Sequence, residues 1–199
     1  MSFRTPMISI IQGDIAELEV DIIVNATKST LTNGGGGEKS LHRVAGTSLM
    51  EECRIEIFKN GILPTGEARL TGAGNLKAKF VVHTVGPHFD RDPNPAQTLD
   101  NCYKNCIKQV RENNCRSIAF PCLATGHFGY PQDAAAHIAL SAIGRYGATN
   151  CCWNVIICAY HEEDYEIYKR LMRDNKYPTC NGTDLYEGEF KRKKSHLLK

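Results

Sequence analysis

Short apolar runs alternate with amphipathic stretches along most of this chain of 199 residues. Six of the runs have the length of strands, and they occupy residues 7–11, 21–24, 68–71, 80–85, 117–122 and 155–160. Apolar residues recur at helical spacing in four other segments, which begin near residues 41, 99, 133 and 163, and the first of these is predicted to end at Gly61. Because strands alternate with helices, we predict an α/β fold whose mostly parallel central sheet is covered on both faces.

One domain accounts for nearly the whole chain. The alternating pattern stops near Tyr177, so we expect a domain over residues 1–178 and a basic, flexible tail over residues 179–199. Hydrophobic residues make up 42% and charged residues 23%, a balance typical of soluble globular proteins. No apolar run has the length of a membrane span, and the first residues lack the pattern of a secretion signal. We therefore expect an intracellular protein, either cytoplasmic or nuclear, that does not bind membranes.

The basic residues are concentrated in the tail. The chain carries 24 lysines and arginines against 22 acids, and residues 191–199 hold five of the bases and no acid. The remaining body is mildly acidic, which argues against a general nucleic-acid binder. The basic run at residues 191–194 fits a nuclear address, an anion-binding tail or a solvated chain end, and we favour the solvated end.

The nine cysteines are predicted to be free thiols. Their number is odd, and no pair of them has the Cys-x-x-Cys spacing that zinc sites use. We expect neither a metal nor a cofactor in this protein.

Two glycine-containing loops follow predicted strands, and ligands of such folds bind beyond the carboxyl ends of the strands. The first loop, at residues 29–37, includes four consecutive glycines ahead of a helix. It is either a flexible linker or a cradle that offers backbone N–H groups to an anion, and we favour the cradle. The second loop, at residues 124–129, is a tight strand-to-helix turn that can bind a phosphate in the same way. Together the two loops indicate a bound diphosphate.

A third loop, which begins at Gly13, carries a carboxylate. Asp14 in this loop can accept a hydrogen bond from an exocyclic amine such as that of adenine, or it can cap the start of a helix. From this residue alone, the capping role is the favoured one.

Together these motifs resemble the macro domain, and in particular its MacroD-like branch. The matching stretches are IIQGDI at residues 10–15, VDIIVNA at 20–26, GGG at 34–36, LHRVAG at 41–46, TGEA at 65–68, VHTVGP at 82–87, IAFPC at 118–122 and TGHFGYP at 125–131. The resemblance extends over residues 7–174 and so depends on far more than one short motif. It implies a three-layer α/β/α fold, with a mostly parallel mixed sheet, that binds ADP-ribose.

The resemblance also implies roles for residues of the three loops. Asp14 would bind the adenine amine beside the backbone of Ile15, and Tyr160 would stack near the adenine. Phe128 would pack on the distal ribose, and Asn25 would support the glycine loop. The diphosphate would be enclosed by Gly34, Gly35, Gly36 and Gly37 on one side and by Thr125, Gly126, His127, Phe128 and Gly129 on the other.

Members of this branch often hydrolyse the ester that links ADP-ribose to an acidic side chain or to acetate. Such a reaction needs a placed water, stabilisation of the charge that develops at the ribose, and a firmly held diphosphate. The resemblance places the catalytic carboxylate at Glu38 and keeps a histidine at His42. A histidine in the first turn of a helix, where the periodicity places His42, is more often a cap or an interhelix hydrogen-bond partner.

The departures from the family pattern fall at this catalytic end. Where the family reads Asn-Ala-Ala-Asn, residues 25–28 read Asn-Ala-Thr-Lys, so the second asparagine, which holds the distal ribose, is replaced by Lys28. The catalytic aspartate is replaced by Glu38, the next glycine by Lys39, and the serine of the second loop by Ala124. Lys28 can stabilise a leaving carboxylate, pair with Glu38, or misplace the substrate.

Three functions remain open. The first is an enzyme that hydrolyses mono-ADP-ribose esters of acidic side chains, or O-acetyl-ADP-ribose, through Glu38, His42 and Lys28. The second is a non-enzymatic reader of ADP-ribosylated proteins or free ADP-ribose, suggested by Lys28, Lys39 and Ala124. Binding of RNA or poly(ADP-ribose) through the tail is a distant third. We favour the enzyme, because a carboxylate and the histidine stay in register, and we expect a monomer whose partners are ADP-ribose and mono-ADP-ribosylated proteins.

Overall fold

The structure, a computed structural model, describes residues 6–32, 36–148 and 153–174. Its strands are β1 (Met7–Gln12), β2 (Val20–Ala26), β3 (Ala68–Gly72), β4 (Ala78–Thr84), β5 (Ser117–Pro121) and β6 (Asn154–Ala159). Its helices are α1 (Gly36–Ala45), α2 (Thr47–Asn60), α3 (Pro95–Glu112), α4 (Gln132–Gly147) and α5 (Glu162–Asp174), together with a short 3-10 helix, Ile15–Glu17. Each predicted strand is present, as are the predicted helices that begin near residues 99, 133 and 163.

The strands form one sheet in the order β1-β6-β5-β2-β4-β3. Neighbouring strands are parallel except β3 and β4, which pair antiparallel and place β3 at the edge. The predicted mostly parallel sheet is therefore confirmed. The carboxyl ends of the five parallel strands lie along the same edge of the sheet, which is where ligands bind in folds of this kind.

Apolar layers cover both faces of the sheet. Side chains alternate along β2, so Ile22 and Val24 join the core under α3, α4 and α5, whereas Ile23 joins the core under α1 and α2. All three side chains are fully buried. The arrangement of helices, sheet and helices confirms the predicted three-layer architecture.

The segment predicted as one helix from about residue 41 to Gly61 is two helices. The break is at Gly46, whose φ of +79° is in the left-handed region that favours glycine. A side chain there would also lie 2.9 Å from Nδ2 of Asn75. In addition, α1 begins at Gly36, so the last two residues of the predicted 29–37 loop belong to the helix. His42 therefore lies in the last turn of α1 and not in the first, which excludes the capping role at a helix start.

Among the described residues, no helix is long and apolar enough to cross a membrane. The same residues contain no group of three or more histidine, cysteine or acidic side chains that could hold a metal ion. The cysteines found there are free thiols: Cys53, Cys102, Cys106, Cys115, Cys122 and Cys158. The predicted tail, residues 179–199, lies outside the described residues.

Candidate functional site at the carboxyl edge of the sheet

The candidate site lies where four parallel strands end side by side. Asp14 follows β1, Asn25 is near the end of β2, residues 124–129 follow β5, and Tyr160 follows β6. Because β1, β6, β5 and β2 are consecutive neighbours in the sheet, these segments share one edge. The structure thus brings to one side of the molecule the segments for which the family resemblance implies contacts with adenine, diphosphate and ribose.

The Asp14 carboxylate accepts hydrogen bonds from two of the described residues. Its Oδ1 accepts a hydrogen bond from the Ala16 N–H at 3.0 Å, so Asp14 caps the 3-10 helix. Its Oδ2 accepts a hydrogen bond from the Ser40 hydroxyl of α1. Each carboxylate oxygen has two lone pairs, so the group keeps acceptor capacity for an exocyclic amine. The capping role is therefore present and is compatible with a contact to adenine.

An aromatic ring stands at the end of the strand next to β1. The Gly13 N–H donates to the Ala159 carbonyl at 3.0 Å, which ties the end of β1 to the end of β6. Tyr160 is the next residue and is 68% exposed, and its ring meets His161 edge-on. Ile15, in contrast, is buried in the core under α1 and α2. The exposed tyrosine ring is available to stack on a base.

The loop after β5 has the backbone geometry of an anion site. Ala124 and Gly129 both have positive φ angles, of 65° and 67°. The Gly129 N–H donates to the Gly126 carbonyl at 2.9 Å, and this bond closes the turn. Within the described part of the chain, no backbone carbonyl accepts a hydrogen bond from the N–H groups of residues 125–128. Successive unpaired N–H groups in such a turn form a concavity that binds anions.

Side chains of this loop are arranged around the same turn. The Thr125 hydroxyl donates to the Cys122 carbonyl at 3.2 Å, and His127 is exposed. Phe128 is partly buried, with its ring centroid 5.9 Å from that of His88. The ring of Phe128 therefore rests against the protein on one side, as a platform for a sugar requires.

The glycine run is described only in part. Gly34 and Gly35 lie outside the described residues, while Gly36 and Gly37 form the first residues of α1. The amino end of α1 thus follows the carboxyl end of β2 at the same edge as the loop after β5. Backbone N–H groups at a helix start favour anions.

A buried polar cluster lies between the end of β2 and the first turn of α1. The Glu38 side chain is 2% exposed. Its Oε1 accepts a hydrogen bond from the Thr27 hydroxyl at 2.6 Å and a longer one from Nδ2 of Asn25 at 3.4 Å. Nε2 of His42 lies 3.8 Å from the same oxygen. The sequence-predicted residues Asn25, Glu38 and His42 are therefore brought together.

The cluster continues into the sheet through His83 of β4. Nδ2 of Asn25 donates to Nδ1 of His83 at 3.2 Å, which leaves Nε2 to donate to the Thr71 hydroxyl at 2.9 Å. Complete burial and the nearby His42 lower the pKa of His83 to about 3. Burial also lowers the pKa of His42, neither of whose ring nitrogens has a hydrogen-bond partner among the described residues. Both rings are thus neutral near pH 7.

Lys28 differs from the residues of this cluster in its exposure to solvent. Its side chain is exposed, whereas the Glu38 side chain is 2% exposed. The pairing of Lys28 with Glu38 that the sequence left open stays a prediction. The sequence reasoning also gave no role to Thr27 or Ser40, although Thr27 replaces an alanine of the family pattern and so offered a signal.

Residues 24–139 match the Macro domain family. This chain belongs to the macro domain family. Its curated relatives include the human ADP-ribose glycohydrolase MACROD2, which is 44% identical over 174 residues. That alignment covers 85% of this chain but only 40% of the human protein, so the chain spans about two-fifths of that relative. The O-acetyl-ADP-ribose deacetylase of Citrobacter koseri is 43% identical over 162 residues, which cover 80% of this chain and 92% of the bacterial protein.

Solved structures agree with the fold. The Oceanobacillus iheyensis macrodomain with MES bound is 35% identical and superposes with a TM-score of 0.80, covering 83% of this chain and 90% of that one. The Trypanosoma brucei macrodomain in complex with ADP-ribose is 32% identical, with a TM-score of 0.76, and the match covers 83% of this chain and 68% of that one.

Proposed function

We propose that this chain binds ADP-ribose along the carboxyl edge of its sheet and hydrolyses the ester that links mono-ADP-ribose to an acidic side chain or to acetate. The observation that carries the proposal is the buried Glu38 carboxylate, which is fixed by Thr27 and Asn25 beside His42 at this edge. Relatives that are named as an ADP-ribose glycohydrolase and as an O-acetyl-ADP-ribose deacetylase support the same activity.

The ligand would extend from β1 to β2. Asp14, the Ile15 backbone and Tyr160 would hold the adenosine. The diphosphate would lie between residues 34–37 and residues 125–129, whose N–H groups offer donors without adding a charged side chain. Phe128 and Asn25 would border the distal ribose.

Hydrolysis adds one water across the ester and releases ADP-ribose and a carboxylate. Glu38 is the candidate to orient that water or accept its proton, because a fixed carboxylate close to the ribose end of the site supplies a base in a set position. His42 is neutral near pH 7 and so can exchange a hydrogen bond without adding charge. Lys28 is free to stabilise the negative charge of the leaving carboxylate.

A reader without catalytic activity is the second candidate, and the exposed position of Lys28 favours it. A lysine donates hydrogen bonds but accepts none, so it cannot replace both contacts of the asparagine that holds the ribose in the family pattern. If the ribose is held less firmly, the chain would bind modified proteins without releasing them.

A release assay separates the two candidates. A protein that carries mono-ADP-ribose on glutamate or aspartate is incubated with wild type, Glu38→Gln or Lys28→Asn, and the loss of label is followed while ADP-ribose affinity is measured by calorimetry. Glu51→Gln and Lys59→Asn are the matched controls, since both positions are exposed on α2. Release by wild type that is lost only in Glu38→Gln supports the hydrolase. Tight binding without release by wild type, with activity gained by Lys28→Asn, supports the reader.

The remaining assignments follow from the same proposal. The partners would be mono-ADP-ribosylated proteins in the cytoplasm or nucleus, the working form a monomer, and residues 179–199 a tail that ligand binding does not require. Chromatography with light scattering would test the monomer, and calorimetry on a chain ending at residue 178 would test the tail.

A further inference from the structure

Two of the departures from the family pattern are in direct contact with each other. Thr27 replaces the second alanine of Asn-Ala-Ala-Asn, and Glu38 replaces the catalytic aspartate. Their side chains are joined by a hydrogen bond of 2.6 Å from the Thr27 hydroxyl to Oε1 of Glu38. Thr27 is 3% exposed and the Glu38 side chain 2%, so the bond is shielded from bulk solvent. Hydrogen bonds to a charged acceptor are short and about twice as strong as neutral ones.

Thr27 is itself held in place by the sheet. Its N–H donates to the Thr84 carbonyl at 3.0 Å, immediately beyond the paired ends of β2 and β4. As a β-branched residue, threonine also has few side-chain rotamers. The hydroxyl is therefore a rigid reference point at the edge of the sheet, whereas Glu38 is on a helix and reaches it through a flexible side chain.

The Asn25 and His42 side chains lie farther from this oxygen than the Thr27 hydroxyl does. The Asn25 amide lies 3.4 Å away and is shared with His83, to which it donates at 3.2 Å. His42 is 3.8 Å away, beyond hydrogen-bonding distance, and its ring is neutral. Compared with the aspartate of the family pattern, Glu38 has one more methylene and one more rotatable bond, so its carboxylate needs an additional anchor.

We propose that Thr27 is the positioning residue for Glu38, and that the Thr27–Glu38 pair replaces the alanine–aspartate pair of the family pattern as a coupled unit. The proposal rests on the hydrolase activity proposed above. Because Thr27 is buried and its hydroxyl is bonded to Glu38, its removal is expected to slow turnover without weakening binding.

The test compares Thr27→Val, which keeps the shape but loses the hydroxyl, with Thr27→Ser, which keeps the hydroxyl. Release of mono-ADP-ribose gives kcat and KM, and calorimetry gives the Kd for ADP-ribose. For Thr27→Val we expect kcat to fall about 10- to 100-fold, since a misplacement of about 1 Å costs about a hundredfold. KM and Kd should stay within about twofold of wild type. Thr27→Ser should keep kcat within about threefold, and Thr98→Val on α3 is the control.

Three results would overturn the proposal. Unchanged kcat in Thr27→Val would show that the hydroxyl does not position Glu38. A parallel loss of ADP-ribose affinity would place Thr27 in ligand binding instead. A wild-type protein that releases no ADP-ribose would overturn the proposed hydrolase together with this inference. If wild type and Thr27→Val are equally active, only the inference is overturned.

A second pair of variants covers the case in which Thr27→Val does not fold. Thr27→Ala and the double variant Thr27→Ala/Glu38→Asp are compared, because the double variant restores the alanine–aspartate pair. If the two positions form a coupled unit, the double variant has a higher kcat than Thr27→Ala alone. The same Glu38→Asp change made in the wild-type background lowers kcat. Additive losses would contradict the coupling.

Discussion

His83 of β4 provides a test of the buried polar cluster that does not depend on any ligand. Its side chain is completely buried, accepts a hydrogen bond from Asn25 and donates one to Thr71. Its pKa is lowered from 6.5 to about 3 by burial and, to a smaller extent, by His42. We predict that this histidine makes the folded protein less stable in mild acid.

The magnitude follows from the difference between the folded and unfolded states. The unfolded chain binds a proton at His83 as the pH falls below 6.5, whereas the folded ring stays neutral until the pH approaches 3. Because the unfolded state binds more protons over this interval, the free energy of unfolding decreases as the pH falls. Each pH unit below 6.5 contributes about 1.36 kcal/mol, so His83 removes about 2 kcal/mol between pH 7.5 and pH 5.

Urea unfolding at pH 7.5 and pH 5 measures this effect. Trp153, the one tryptophan of the chain, is 4% exposed and reports unfolding by fluorescence. Wild type should lose about 2 kcal/mol more between the two pH values than His83→Gln does, on the linkage argument given above. His137→Gln is the matched control, because the side chain of His137 is 47% exposed on α4.

Other groups also titrate in this interval. The pKa of Asp164, which burial raises, acts in the direction opposite to that of His83; it does not share partners with His83, so its contribution cancels in the comparison. The lowered pKa of His42 acts in the same direction as that of His83, and because the two rings interact, the measured difference belongs to the pair. Equal losses of stability in wild type and His83→Gln would refute the neutral, buried state of His83 and with it the hydrogen-bond pattern of the cluster.

Three further predictions concern the ligand and the thiols. Asp14→Ala should weaken ADP-ribose binding by about 1–3 kcal/mol through loss of a charge-assisted hydrogen bond, and an unchanged calorimetric Kd would contradict the adenine contact. Gly126→Glu should abolish ADP-ribose binding. The variant should still fold, because no atom lies within 4 Å of the position that the Cβ of the glutamate would take. Gly144→Glu is the control, since this position is equally open but lies on α4, and it should bind normally. Burial raises the pKa of Cys53 to about 12 and that of Cys102 to about 11, so both thiols should resist iodoacetamide at pH 7.5 until urea is added. Labelling is measured by peptide mass spectrometry, and rapid labelling of either cysteine in the native protein would contradict its burial.

The sheet and the gathering of the candidate loops at one of its edges could be predicted because their signals are local. The alternation along β2 assigns Ile22 and Ile23 to opposite faces whatever lies around them. The glycines of the loop after β5 indicate a tight turn in the same local way, and parallel strands bring such loops to one edge. The order of the strands in the sheet was not predicted, because it depends on contacts between residues far apart in the sequence.

The break between α1 and α2 and the details of the polar cluster are the parts that the sequence reasoning missed. An isolated glycine within a helical pattern, such as Gly46, is tolerated in many helices, and neither its positive φ nor the close approach of Asn75 is expressed in the pattern. The contact of Thr27 with Glu38 depends on how α1 packs against the end of β2, which no spacing along the chain expresses. The placement of His42 in the first turn was wrong for a different reason: glycines are poor helix formers, so the pattern did not show that α1 begins at Gly36.

The departures from the family pattern have different consequences at different positions. The Glu38 carboxylate accepts a hydrogen bond from the Thr27 hydroxyl inside the protein, and under the proposal above this bond compensates for the extra methylene. Lys28 is exposed, so a ligand bound at this edge can contact it directly. The choice between hydrolase and reader therefore depends more on Lys28 than on Glu38. Lys28→Asn is the more decisive variant, because it changes what the ligand meets and leaves the buried cluster intact.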